Sequence, residues 1–172
     1  VDPPPNPTLE YKIAVIKNNT DNIIILIKFI MNVNIALLTV TDTRTFDNDK
    51  SGAILVEKIK LANHNLLDRK ICKDNKDDIV LILNEWIKKD NIDVVITTGG
   101  TGLTGRDITP EALDQIADKQ IPGFGEIFRN ISLKTVGTSA IQSRACAVLA
   151  NGKYVFALPG SSGGVTDAWE GI

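Results

Sequence analysis

The chain reads as an α/β protein of three layers, a mostly parallel β-sheet with helices on both faces. Three observations predict this. Short, largely apolar runs at 35–40, 66–72, 94–98 and 154–158 alternate with stretches of helical periodicity. Continuously apolar strands such as the third mark parallel pairing, buried on both sides. The connections have the length of crossover helices, which join parallel strands with a right-handed turn.

The elements follow in order. Residues 35–40 form the first strand. Residues 51–62 carry apolar side chains at Ile54, Leu55, Ile59 and Ala62, a helical spacing. A second strand spans 66–72. The helix over 76–89 has Ile79, Val80, Leu83, Trp86 and Ile87 on one face. The third strand is 94–98. Thr109 caps the next helix, with Pro110 in its first turn. A short helix is expected over 124–130. Ser139 and Gln142 have capping-box spacing ahead of a small-residue helix over 140–150. A late strand at 154–158 and a final helix after Gly163 and Gly164 complete the pattern.

The bulk numbers exclude several classes. At 172 residues and 43% hydrophobic content the chain can bury one full core. A net charge of −2 gives no basic surface for nucleic acid. Cys72 and Cys146 form no C-x-x-C, and with His64 as the one histidine a thiolate–imidazole zinc site is not expected; free thiols suit a reducing, cytoplasmic setting. The apolar run 23–27 is short of the roughly 20 residues that span a membrane. Residues 1–30, with Pro3, Pro4 and Pro5, read either as an extension upstream of a natural start near Met31 or as carrying a genuine extra strand at 23–30. The last residues, 169–172, stop partway into a helix.

The most informative stretch is 94–113, VVITTGGTGLTGRDITPEAL. A β-branched run stops at Gly99 and Gly100. Gly102, Gly105, Thr101 and Thr104 follow, then Arg106 and Asp107. Glycines let backbone N–H groups approach a ligand, and inward N–H groups form an anion nest. Gly100 to Gly105 fits G-x-G-x-x-G, but no helix follows directly and no acidic strand end comes at the right distance, so a dinucleotide site is set aside. A Walker A loop needs Gly-Lys-Ser/Thr where this chain has Gly105, Arg106, Asp107. In doubly wound sheets ligands bind beyond the carboxyl ends of the strands. Segments 41–44, 72–74, 99–107 and 159–164 all lie there, which points to a single site.

This loop resembles the glycine-rich loop of the MoaB/MogA family of molybdenum cofactor biosynthesis proteins. Segments 39–44 (TVTDTR), 121–126 (IPGFGE), 137–144 (GTSAIQSR) and 157–161 (ALPGS) match the family in order. The resemblance runs from about Asn34 to the end, and the second and third segments look more like the MoaB branch. It implies a molybdopterin-binding-like domain over 34–172, cut short at its C-terminus, behind an N-terminal extension over 1–33. It implies molybdopterin and ATP as substrates, Mg²⁺ as cofactor, and transfer of AMP to the terminal phosphate of the pterin with release of pyrophosphate. The alternative is a MoaB-type paralogue that binds the pterin or its precursor without catalysis; retention of Arg106, Asp107 and Asp74 favours the enzyme. The family assembles as homo-trimers or homo-hexamers, and other molybdenum cofactor biosynthesis proteins are possible partners. Helix 140–150 and the Phe124 segment are the candidate subunit contacts.

Asp107 matches the family's aspartate at the end of the glycine loop and is the first candidate for catalysis or for ligating Mg²⁺; its structural competitor is a cap on the helix at 109. Asp74 matches a second acidic position, competing with an N-cap role that Asn75 can share. Gly99, Gly100, Thr101 and Gly102 are assigned to phosphate or substrate binding. So are Asp42 and Arg44, for which a surface ion pair is the plain reading, and Ser143, with Arg144 beside it. Gly160, Ser161 and Ser162 make a second glycine–serine loop. Asp49 reads as an N-cap. Phe124, Phe128, Trp86 and Trp169 read as core or subunit contacts.

Overall fold

The computed structural model describes residues 10–17, 23–30 and 32–172. It divides into two units, Val1–Val33 and Asn34–Ile172. In the first, strands β1 (Glu10–Lys17) and β2 (Ile23–Ile30) pair antiparallel. The second of these coincides with the extra strand expected at 23–30. The prolines at 3–5 lie outside the described residues.

In the second unit, β3 (Asn34–Val40), β4 (Asn65–Cys72), β5 (Val94–Thr98) and β8 (Lys153–Leu158) run parallel. Strands β6 (Lys119–Gln120) and β7 (Cys146–Ala150) extend the sheet antiparallel, giving the order β4-β3-β5-β8-β7-β6. Helices α1 (Lys50–Leu61), α2 (Lys76–Ile87), α3 (Thr109–Ile116), α4 (Pro122–Val136) and α5 (Ser162–Gly171) cover its faces.

The helices pack where their periodicity points. Ile79, Val80, Leu83, Trp86 and Ile87 of α2 join Ala112 and Leu113 of α3 in one buried cluster. That cluster includes Ala36, Leu38 and Val40 of β3 with Val155 and Ala157 of β8. The Trp86 ring is fully buried, and its N–H donates to Asp68 (2.8 Å), so its one polar atom is satisfied. On the other face Phe156, which alternates with Val155 and Ala157, meets the Phe124 ring of α4 at 5.1 Å, and α5 packs against α1 and α4.

One expected element is wrong. Residues 140–150 are not a helix: a 3-10 turn spans Gly137–Gln142 and the chain then enters β7. Asn151 (φ 49°) and Gly152 (φ 74°) make a tight left-handed turn that folds β7 back onto β8. Ladder pairing with Val155 and Phe156 overrides the helical propensity of the alanines. The short helix expected at 124–130 is longer, because Pro122 starts it two residues earlier and it runs to Val136.

Candidate functional site

Register sets the site. Val40 pairs with Cys72, Thr39 with Thr98, and Thr98 with Leu158, so four strand connections leave the sheet at one level. Chain order reverses between β3 and β5, and a crevice opens outside such a switch point. The crevice here has a volume of about 720 Å³. Asp42, Arg44, Asp74, Gly99, Gly100, Thr101, Gly102, Asp107, Ser143, Gly160 and Ser161 all line it. Ser162 is the first residue of α5 and is not among the lining side chains, while Ser161 caps that helix through its hydroxyl.

The glycine loop is shaped by close approach. Gly99 has φ +103°, and a Cβ there would sit 2.2 Å from the Val40 carbonyl oxygen. Gly100 has φ +65°, and its Cβ would meet Thr109 Oγ1 at 2.3 Å and Asp74 Oδ1 at 2.9 Å. Both positions therefore require glycine. The Thr109 hydroxyl does not cap α3 as expected. It is buried and donates to the Gly99 carbonyl (2.9 Å), fastening the loop to the helix start, and the N-cap position falls to Ile108.

Asp107 closes the loop on itself. Its Oδ2 accepts from the Thr104 N–H (2.9 Å) and hydroxyl (2.6 Å), so it is not the helix cap either. Burial works against ionisation, but the Thr104 hydroxyl, the Thr104 and Gly102 N–H groups and the Arg144 charge outweigh it and hold the pKa below the ordinary value. Asp74 is the opposite case. Burial raises its pKa, and the negative charges of Asp107 and Asp42 add to that against the Ile108 N–H and Arg106. Capping of α2 is done by Asn75, whose Oδ1 accepts from Asp77 and Asp78. That leaves Asp74 Oδ1 buried with no hydrogen-bond partner.

A buried carboxylate oxygen without a partner, beside two further carboxylates, suits a cation. Among the described residues no group of three or more His, Cys, Asp or Glu side chains is placed to hold a metal by itself. The donor set fits Mg²⁺, which is commonly held by one or two carboxylates together with substrate phosphates. Asp74 and Asp107 are the residues that would hold it.

Among the described residues Arg44 enters no ion pair. It donates to Ser51 Oγ (3.3 Å) and to the Gly160 carbonyl (3.2 Å), tying the first loop to the last. Asp42 pairs instead with Arg106 across the mouth of the crevice. Asp49 is the α1 cap and more: it accepts from Gly52 N–H, Thr39, Ser51 and Arg69, and its side chain is fully buried.

Ser139 caps nothing; it lies inside the 3-10 turn, which has no side-chain cap. Ser143 and Arg144 are on the extended stretch after that turn, not on a helix. Ser143 lines the crevice. Arg144 turns away from it into the back of the glycine loop, donating to the Gly102 (2.7 Å) and Asp107 (2.6 Å) carbonyls and pairing with Glu111. Sequence reasoning missed Gln142, which also lines the crevice, because it treated Gln142 as a capping-box partner. The Asn151–Gly152 pair between apolar runs was the available signal that 146–158 is a hairpin. Burial pushes the Cys72 thiol up to about 12, with Asp78 and Asp74 adding to it, and the Cys146 thiol up to about 11, so neither is a nucleophile.

The model of the probable molybdopterin binding domain matches residues 36–172. Molybdenum cofactor biosynthesis protein B of Escherichia coli K12 is 44% identical over 138 residues, covering 80% of this chain and 81% of that protein. The protein of that name from Staphylococcus aureus MRSA252 is 44% identical over 147 residues, covering 84% and 87%. A crystal structure of molybdenum cofactor biosynthesis protein B superposes with a TM-score of 0.79 at 44% identity, covering 82% of this chain and 88% of that one. The tungsten cofactor synthesizing protein MoaB from Pyrococcus furiosus superposes with a TM-score of 0.72 at 36% identity, covering 81% and 89%. The family model over 36–172, relatives at 44% identity and superposition on solved structures of that name show that the chain belongs to the MoaB/MogA family of molybdopterin-binding domains.

Proposed function

We propose that this protein acts in molybdenum cofactor biosynthesis, binding molybdopterin and transferring AMP to it from Mg²⁺-ATP. The observation that carries the reading is the pair of aspartates flanking the glycine loop, with Asp74 Oδ1 buried and unpaired. An unpaired buried acceptor is costly, and a cation relieves it. A pterin phosphate oxygen attacks the α-phosphorus of ATP, the bond to the β-phosphate oxygen breaks, and pyrophosphate leaves. Bound Mg²⁺ supplies charge neutralisation on the phosphates. This chain's residues bind and orient: the Gly99–Gly102 backbone cradles phosphate, and Arg106 and Arg44 stand at the mouth. Such transfer is dominated by positioning and charge stabilisation rather than by covalent steps on the protein.

The test is pyrophosphate release with molybdopterin and Mg²⁺-ATP. Release that requires the pterin establishes the transferase. Pterin binding without release leaves a non-catalytic binder.

The reading includes a homo-trimer or homo-hexamer. The contact candidates change, because Phe124, Ala147 and Ala150 are buried inside the subunit. Exposed Ile127, Leu133 and Val136 on α4, with Ile141 beyond it, take their place.

A further inference from the structure

We propose that Arg144 is a positioning residue that sets the orientation of both site aspartates through the peptide groups behind them. In a trans peptide the C=O and the following N–H point in opposite directions. The Thr101 carbonyl accepts from the Arg144 backbone N–H (2.9 Å), and the N–H of the same peptide, that of Gly102, faces the Asp107 carboxylate and favours its ionised form. The Asp107 carbonyl accepts from Arg144 Nη2 (2.6 Å), and the N–H of that peptide, Ile108, faces the Asp74 carboxylate and favours its ionised form. Arg144 Nε fixes the intervening Gly102 carbonyl at 2.7 Å. One residue thus holds, by its backbone N–H and its side chain, the carbonyl side of both peptides whose N–H sides face the two carboxylates.

The guanidinium is not there to neutralise phosphate. Its charge is met by Glu111 of α3, and it lies behind the loop rather than in the crevice. Its fork geometry matters more than its charge. Three nitrogens in one plane reach two carbonyls and a carboxylate, an arrangement the single ammonium of lysine cannot reproduce. The guanidinium also polarises the peptide between Asp107 and Ile108, strengthening the pull of its N–H on the Asp74 carboxylate.

This inference rests on the transferase reading for its kinetic arm, but its structural arm is independent. Amide hydrogen exchange is measured on the ligand-free wild type, on Arg144→Gln and on Arg144→Lys. The expected result is faster exchange at Gly102 and Ile108 in both variants, with β5 and β8 unchanged. Unchanged protection at those two amides in the lysine variant overturns the proposal, and so does an equal loss across the whole sheet. In pyrophosphate release, Arg144→Lys should lower kcat and raise the Mg²⁺ concentration for half activity by about 10- to 100-fold, as loss of an outer-shell support does. A KM for ATP raised alone, with kcat and Mg²⁺ response intact, also overturns it. If wild type releases no pyrophosphate, the transferase reading fails while the exchange result still decides the role of Arg144.

Discussion

Asp107 and Asp74 face the same loop from two sides, yet their environments push them apart. Asp107 is held ionised by hydrogen bonds and by Arg144, whereas burial and neighbouring negative charge oppose ionisation of Asp74. For Asp74 the folded pKa is raised, so the folded state favours the proton. Its contribution to stability is present below the unfolded value, about 3.9, and is lost as pH rises through the folded value. Asp74→Asn should therefore raise the ligand-free Tm at pH 7 by roughly 2–4 °C, and the gain should vanish near pH 3. Calorimetry across that range checks it, and a lower Tm at pH 7 would refute it. The same variant should blunt the Mg²⁺ dependence of pyrophosphate release. Asp107→Ala should abolish release with the fold intact by circular dichroism, since the side chain sits at the rim and fills no core position. That both aspartates line the crevice was legible in the sequence, through the glycine loop that Asp107 ends and the resemblance that marks Asp74. The Asp42–Arg106 and Arg144–Gly102 partnerships were not, because they join residues 64 and 42 positions apart and only folding brings them together.

Strands and helices were legible wherever periodicity and flanking signals agreed, as in α2 with its single apolar face. The failure at 140–150 came from weighing alanine content above the Asn151–Gly152 turn. That turn is the element on which the placement of Arg144 depends. Because β7 runs antiparallel, its first residues arrive at the end of the sheet where the parallel strands finish. A Cβ on Gly152 meets nothing within 4 Å, so Gly152→Ala should cost only backbone strain at φ +74°. About 1 kcal/mol is expected, or a Tm fall of roughly 2–4 °C, with turnover kept. Inserting one residue beside Asn151 should instead abolish activity by shifting the register of β7 and withdrawing Arg144 from the loop. Activity surviving that insertion would show that the hairpin does not place the site.

At the scale of the molecule, the fold class followed from alternation of apolar runs and helices, because βαβ connectivity leaves few alternatives. Assembly was not legible in the same way, since an apolar residue reads alike in a core and at an interface. The expected assembly is three or six chains in sedimentation equilibrium, and Ile127→Glu or Ile141→Glu should lower that number. A monomer at micromolar concentration for the unsubstituted chain would remove oligomerisation from the account. No helix among the described residues is long and apolar enough to cross a membrane.

Where β3, β5 and β8 end, the crevice is floored by main chain rather than side chains. The Val40 carbonyl lies under Gly99, and a Cβ on Gly160 would stand 3.2 Å from the Gly99 Cα. A floor of this kind has almost no vocabulary for gradual change. Substitution at Gly99 or Gly100 removes the surface itself, whereas Asp42 and Ser143 on the walls can vary in size and charge without disturbing it. Saturation mutagenesis should accordingly give two populations, all-or-none at the floor and graded along the walls. Any drift in ligand preference must be written in the walls alone.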